Sequence, residues 1–219
     1  MYNTNGSSEL TKLIFKNSAN EEKLKQLLIS NYSEADLTAY LRSKDPLLGR
    51  AAGFALRLIG SPEVIPALVE ALRDADRGTR FNAEYALWEI WSHSGDDAVD
   101  AMLEDGKNLL KNEAYQQAVE CFTTVIETDP DFAEGYNQRA IAYFMLEEWS
   151  QSIRDCKRTV ALNPNHFGAF AGMGHVYVRL GKIDEALDAY KQALVINPNL
   201  ISIAEAVLRL RDQIEGTRG

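Results

Sequence analysis

The chain is poor in the residues from which metal, redox and nucleophilic sites are built. Its 219 residues include 2 cysteines and 3 histidines, too few for a disulfide framework or a cysteine-rich zinc site. Cys121 and Cys156 both fall on apolar helical faces and are expected to be reduced and buried. His93, His166 and His175 form no pair at ligand spacing, and no HExxH or Cys-x-x-Cys occurs, so neither a metal nor a cofactor is expected. There is no Gly-x-Gly-x-x-Gly and no phosphate loop. Adjacent acids such as Asp96–Asp97 and Asp184–Glu185 lie at expected helix starts, where they meet the positive end of the helix dipole. No apolar run approaches the roughly 20 residues that cross a bilayer. The opening MYNTNGSSEL lacks the basic-then-apolar order of a secretory leader, and residues 1–8 are expected to be mobile. With reduced thiols, this favours a cytoplasmic protein. No segment of useful length alternates with the period of a strand, so the class is all-α.

Charge is the next constraint. Residues 1–95 carry 11 Lys and Arg against 12 Asp and Glu, a balance of −1, whereas residues 96–219 carry 12 against 20, a balance of −8. An acidic half repels phosphate backbones, so nucleic acid is not an expected partner and a basic peptide or protein surface suits it better.

Proline is scarce, with 6 in the chain, but its placement is regular. Pro130, Pro164 and Pro198 stand at a constant interval of 34 (164 − 130 and 198 − 164), each after Asp or Asn and a helical-period segment. In that register Met102, Tyr136 and Phe170 are all bulky, Gly106, Ala140 and Gly174 all small, and Leu109, Tyr143 and Tyr177 large again. On the following helix Ala118, Ser152 and Ala186 are small, and Phe122, Cys156 and Tyr190 follow four residues later. Small residues let two antiparallel helices approach, and large ones fill the space between neighbouring pairs.

This alternation resembles the tetratricopeptide repeat family. The resemblance implies three helical hairpins at about 99–132, 133–166 and 167–200, within a segment 96–219. Residues 201–215, with apolar positions at Ile203, Val207, Leu210 and Ile214, read as an amphipathic capping helix. The N-terminal segment, 9–95, repeats differently. DPLLGRAAGFALRLIG and DRGTRFNAEYALWEIW align at an offset of 31, matching Asp45 with Asp76, Ala52 with Ala83, Ala55 with Ala86, Leu56 with Leu87 and Ile59 with Ile90. This is similar to the short HEAT-like repeat also found in phycobilin lyases. The resemblance implies an Asp opening the second helix and a basic residue soon after, a role that Asp76 and Arg80 fit. Further helices are expected at 21–29 and 34–42. The whole reads as a right-handed α–α superhelix, a helical-hairpin solenoid of HEAT-like units continuing into three tetratricopeptide units.

ALWEIWSHSGDD, residues 86–97, crowds His93, Ser94, Asp96 and Asp97 together in the manner of an active site. In this context it reads instead as a helix end, a turn and a cap, with Trp88 and Trp91 filling a joint between the two repeat types.

Function is therefore expected on the repeat groove, which in tetratricopeptide arrays is lined by the first helix of each hairpin. Transferred here, that face offers Leu103, Lys107 and Lys111, then Asn137, Ile141, Phe144 and Met145, then Ala171, His175, Val178 and Arg179. Apolar residues with cations and an amide suit an extended or helical peptide. Some family members grip a peptide's C-terminal carboxylate with Lys, Asn and Arg. The corresponding places here hold Leu103, Lys107, Gln138, Gly168 and Gly172, so that carboxylate clamp is absent. The expectation is a non-catalytic interaction scaffold or assembly factor for a protein or peptide partner, monomeric, with no catalytic residue. The alternative is a HEAT-like chromophore lyase or chaperone for a pigment protein.

Overall fold

A computed structural model describes residues 4–218, with side chains described over 9–215. The described residues form helices and turns, in two compact units, 1–91 and 92–219. Residues 92–95 thus belong with the second unit. No described helix is long and apolar enough to cross a membrane.

The first unit holds α1 (Thr4–Asn17), α2 (Glu21–Asn31), α3 (Glu34–Leu41), α4 (Pro46–Ile59), a 3-10 turn (Pro62–Val64), α5 (Ile65–Ala71) and α6 (Arg77–Trp91). Of the start expected to be mobile, residues 1–3 lie outside the described residues, and α1 begins at Thr4. Leu10, Leu13 and Ile14 give α1 an apolar stripe at helical spacing, and Leu10 is fully buried. The starts of α2, α3 and α4 have a chemical cause. The Asn20 side chain accepts from the Lys23 N–H, Ser33 and Asp36 form a reciprocal capping box, and Asp45 accepts from the Leu47 N–H ahead of Pro46.

The aligned pairs form the core: Ala52, Ala55, Leu56, Ala83, Ala86 and Leu87 are all fully buried. α4 and α6 pack closely because α4 carries glycine at the contact. A Cβ on Gly53 would lie 2.9 Å from the Asn82 Cβ. Asp76 takes a different partner from the expected Arg80. Its carboxylate accepts two bonds from Arg50 of α4, at 2.8 and 2.6 Å, and one from the Thr79 N–H at 2.8 Å. Arg80 instead donates to the carbonyls of Asp74 and Ala75. The reason is geometric. Asp76 sits just before α6, where its oxygens face the free first-turn N–H groups and the side of α4, not the next turn of its own helix.

The second unit is built from three hairpins and a final helix: α7 (Asp97–Lys111) with α8 (Tyr115–Thr128), α9 (Ala133–Met145) with α10 (Trp149–Leu162), α11 (Phe167–Arg179) with α12 (Ile183–Ile196), and α13 (Ile201–Arg218). The small-against-large columns meet in space. Cβ atoms on Gly106 and Gly174 would overlap the rings of Phe122 and Tyr190, and Ala140 shares a buried cluster with Cys156. Ala118, Ser152 and Ala186 are buried to 2% exposure or less, and the Ser152 hydroxyl donates to the Ala140 carbonyl at 2.8 Å. α13 covers the last hairpin, placing Ile203, Val207 and Leu210 against Ala186 and Tyr190. Of the two thiols only Cys156 is buried, and burial pushes it up to about 12. Cys121 is half-buried, its Sγ 3.3 Å from the Met102 carbonyl oxygen, and is also raised by burial.

Candidate interaction groove

The active-site reading of residues 93–97 dissolves into helix-end chemistry. α6 ends at Trp91, Gly95 takes a positive φ of 91°, and the Asp96 carboxylate caps α7 by accepting from the N–H groups of Ala98 and Val99. Ser94 is occupied by Asp100, to which its hydroxyl donates at 2.7 Å. Trp88 and Trp91 pack edge to face with ring centroids 5.4 Å apart.

The groove face of α7, α9 and α11 carries a different mixture from the one expected. Leu103 is fully buried in the first hairpin's core with Val99 and Phe122, so it lines nothing. Asn137 is 5% exposed, and its Nδ2 is directed at the Glu134 carboxylate, so it too is withdrawn from solvent. Both positions turn inward because the hairpin core takes them. Lys107 is half-buried and ion-paired to Glu104 at 2.5 Å, and Lys111 is exposed in the last turn of α7.

What α9 and α11 do expose is apolar. Ile141 and Met145 are 43% and 46% exposed on α9, and Val178 is 36% exposed on α11 beside exposed His175 and Arg179. Phe144 is half-buried, edge-on to Trp149 at 5.3 Å and to His175 at 6.5 Å. The His175 Nδ1 lies 2.7 Å from the Tyr190 hydroxyl. Although one side of His175 faces solvent, partial desolvation of the ring, and then the Arg179 charge, hold the imidazole below its ordinary pKa. His175 is therefore a neutral ring joining α11 to α12, not a cation offered to a ligand.

Beneath this strip lies a polar cluster that sequence reasoning missed. Glu134 and His166 are 1% and 0% exposed, with Glu134 Oε2 3.0 Å from His166 Nε2. The Ala169 N–H donates to His166 Nδ1 at 3.0 Å, so the ring proton sits on Nε2 and is given to the carboxylate. Gln138 adds a third donor to Glu134 at 2.6 Å, with Asn137 completing the shell. A partly buried ion pair, Arg139 to Asp155 at 2.7 and 3.1 Å, joins α9 to α10. Among the described residues, no cluster of three or more His, Cys, Asp or Glu side chains is arranged to hold a metal.

The cluster also bears on carboxylate recognition. Of the five clamp places, Leu103 is core, Lys107 is ion-paired to Glu104, the Gln138 amide is spent on Glu134, and Gly168 and Gly172 supply no charge. The buried carboxylate of Glu134 stands close by and repels another anion.

These features define a helical-hairpin repeat protein whose exposed face is apolar with a few cations. Comparison with known families gives the class a name. Tetratricopeptide repeat models match residues 103–167 and 168–200, and a HEAT repeat model matches residues 34–120. The chain is a tetratricopeptide repeat protein with a HEAT repeat segment before those repeats. Both kinds of model match residues 103–120, which fall in the first hairpin.

A tetratricopeptide repeat-containing protein of Rhizobium etli is 26% identical over 146 residues, covering 67% of this chain and 71% of its own length. The yeast small glutamine-rich tetratricopeptide repeat-containing protein 2 is 33% identical over 91 residues, 42% of this chain but 26% of the relative. The chain thus spans most of the bacterial relative and about a quarter of the yeast one. Among solved structures, the first tetratricopeptide domain of Spaghetti (RPAP3) bound to the HSP90 peptide SRMEEVD superposes with a TM-score of 0.52 at 26% identity, covering 53% of this chain and 93% of that one. The Arabidopsis OM64 tetratricopeptide domain gives the same score and identity, covering 53% and 97%.

Proposed function

We propose that this protein is a non-catalytic interaction scaffold or assembly factor that holds a segment of another protein on the α9–α11 face. The observation that carries the reading is the exposure of Ile141 and Met145 on α9 and of Val178 and Arg179 on α11, two helices joined by the contact of Phe144 with His175. Exposed aliphatic side chains over an aromatic floor provide an anchor pocket, and the flanking cations set register. The RPAP3 domain supports a peptide ligand in this fold, since its structure contains one. The ligand chemistry differs here, because the clamp for a terminal carboxylate is replaced by core and glycine. An internal segment with a large apolar residue fits better, and the balance of −8 over residues 96–219 favours basic flanks. Two free thiols with raised pKa values suit a reducing compartment such as the cytoplasm. The comparisons lend nothing to the chromophore-lyase alternative.

The test is affinity capture from native extract with the wild type, with Ile141→Asp/Val178→Asp, and with Lys107→Glu/Lys111→Glu/Arg179→Glu. The first variant should lose the specific partners, and the second, by exchanging three cations for acids, should shift the retained partners towards more basic segments. A capture profile indifferent to both sets would refute the groove.

A further inference from the structure

The end of the second unit breaks the repeat rule in an informative way. In each hairpin the first helix carries a small residue where the second helix crosses it: Gly106 under Phe122, Ala140 beside Cys156, Gly174 under Tyr190. Extending that column by 34 reaches Leu208 on α13, which is large and 60% exposed. The next column, Leu109, Tyr143 and Tyr177, reaches the exposed Arg211. α13 therefore occupies the place of a fourth first helix, and the face that a second helix would cover is open. No helix follows α13 among the described residues. A capping helix ordinarily turns a polar face outward, yet this one also leaves Ile201 73% exposed, and Val195 at the end of α12 is 56% exposed.

Between α12 and α13 lies a cleft floored by Leu187, Leu194, Val195 and Val207 and edged by Asp184, Asp188, Lys191 and Arg211. On α12 the acids and Lys191 follow one another at helical spacing, so the rim changes sign along one stripe. We propose that this cleft is a docking seat for one amphipathic helix of a partner protein, lying antiparallel to α13 as the second helix of a fourth hairpin. The column rule fixes its chemistry. Because the large residue is here on the first helix, the incoming helix presents glycine or alanine to Leu208. Aliphatic residues fill the floor, a basic residue faces Asp184 and Asp188, and an acidic one faces Lys191. This seat uses no residue of the α9–α11 strip.

The probe is a stapled helical peptide with the sequence of α10, the second helix whose crossing residue is smallest, made with Cys156→Ala and separately with Cys156→Phe. Each is titrated into the isotope-labelled full chain and followed by NMR. The alanine peptide should give saturable shifts at Leu187, Val195, Val207 and Leu208 and bind about tenfold tighter than the phenylalanine peptide, equivalent to about 1.4 kcal/mol. Leu208→Ala should reverse that preference, and Leu208→Asp should abolish binding of both with unchanged circular dichroism, since the side chain is exposed. Equal affinity of the two peptides for the wild type overturns the proposal. So do shifts confined to α9 and α11, or a concentration-dependent dimer that Leu208→Asp dissociates, which would make a second copy the occupant.

Discussion

The Tyr190 ring occupies the space that a Cβ on Gly174 would need, and its hydroxyl reaches the His175 Nδ1 at 2.7 Å. One residue's missing side chain and its neighbour's polar edge thus fix how α12 crosses α11. Tyr190 is 2% exposed, so its ring has little room to retreat.

Gly174→Leu should accordingly overpack the crossing and lower stability by about 1–3 kcal/mol. Thermal melting of the two proteins measures it. Gly181→Ala is the control: its φ is +70° and a Cβ there meets nothing within 4 Å, so only backbone strain is introduced, at a cost of about 1 kcal/mol. Equal melting temperatures for Gly174→Leu and the wild type would mean the columns are misaligned.

The buried carboxylate of Glu134 depends on neutral donors, one of which is His166. His166→Ala removes that donor from the buried carboxylate and leaves the Ala169 N–H only the residue-166 carbonyl, at 3.1 Å, as acceptor. Each buried unsatisfied group costs about 1–3 kcal/mol, so urea midpoints should fall sharply. His166→Asn keeps a side-chain oxygen at the start of α11 and should recover the cap while leaving the carboxylate short of a donor. Its midpoint is expected between those of the wild type and the alanine variant.

The different fates of these residues show what the sequence makes legible. The crossing columns at Gly106, Gly174, Phe122 and Tyr190 could be read because a repeat multiplies one steric rule, so several positions report the same geometry. The caps at Asp45 and Asp96 follow from local chemistry. Leu103 and Asn137 were misplaced because transferring a groove face by helix position ignores how deeply each hairpin buries that turn. Glu134 and His166 stayed hidden because the cluster occurs once, between neighbouring hairpins, and has no period. Their sole trace is a Glu near the start of one first helix and a His just before the next, 32 residues on. Asp76 found Arg50 instead of Arg80 for a similar reason: the sequence suggests pairs within a helix, and the fold makes them between helices.

His175 offers a pH test. Burial first and Arg179 second disfavour its charged form in the folded chain. A histidine with a depressed folded pKa contributes stability above its unfolded value of about 6.5, and this is lost as pH falls through the lower folded value. NMR titration should therefore place the His175 midpoint below the ordinary histidine value of about 6.5. Arg179→Ala should raise it only in part, because burial is the larger cause. A His175 midpoint at or above the ordinary value would contradict the packing against Phe144 and Tyr190.

Peptide specificity gives the last test. The peptide SRMEEVD, bound in the RPAP3 structure, is acidic and ends in a carboxylate. Here the Gln138 amide is held by Glu134, Leu103 is in the core, and Gly168 and Gly172 are uncharged by nature. Fluorescence anisotropy should find this peptide bound no tighter than about 1 mM. Gly168→Lys with Gly172→Arg adds two cations at clamp places, yet affinity should rise only slightly. The remaining partners are unavailable, and the Glu134 charge still opposes the ligand. Adding Glu134→Gln removes that charge and frees part of the Gln138 hydrogen-bonding capacity, so the triple variant should bind measurably tighter than the double. If the double variant alone bound as tightly as the triple, the buried carboxylate would have no part in excluding acidic peptides.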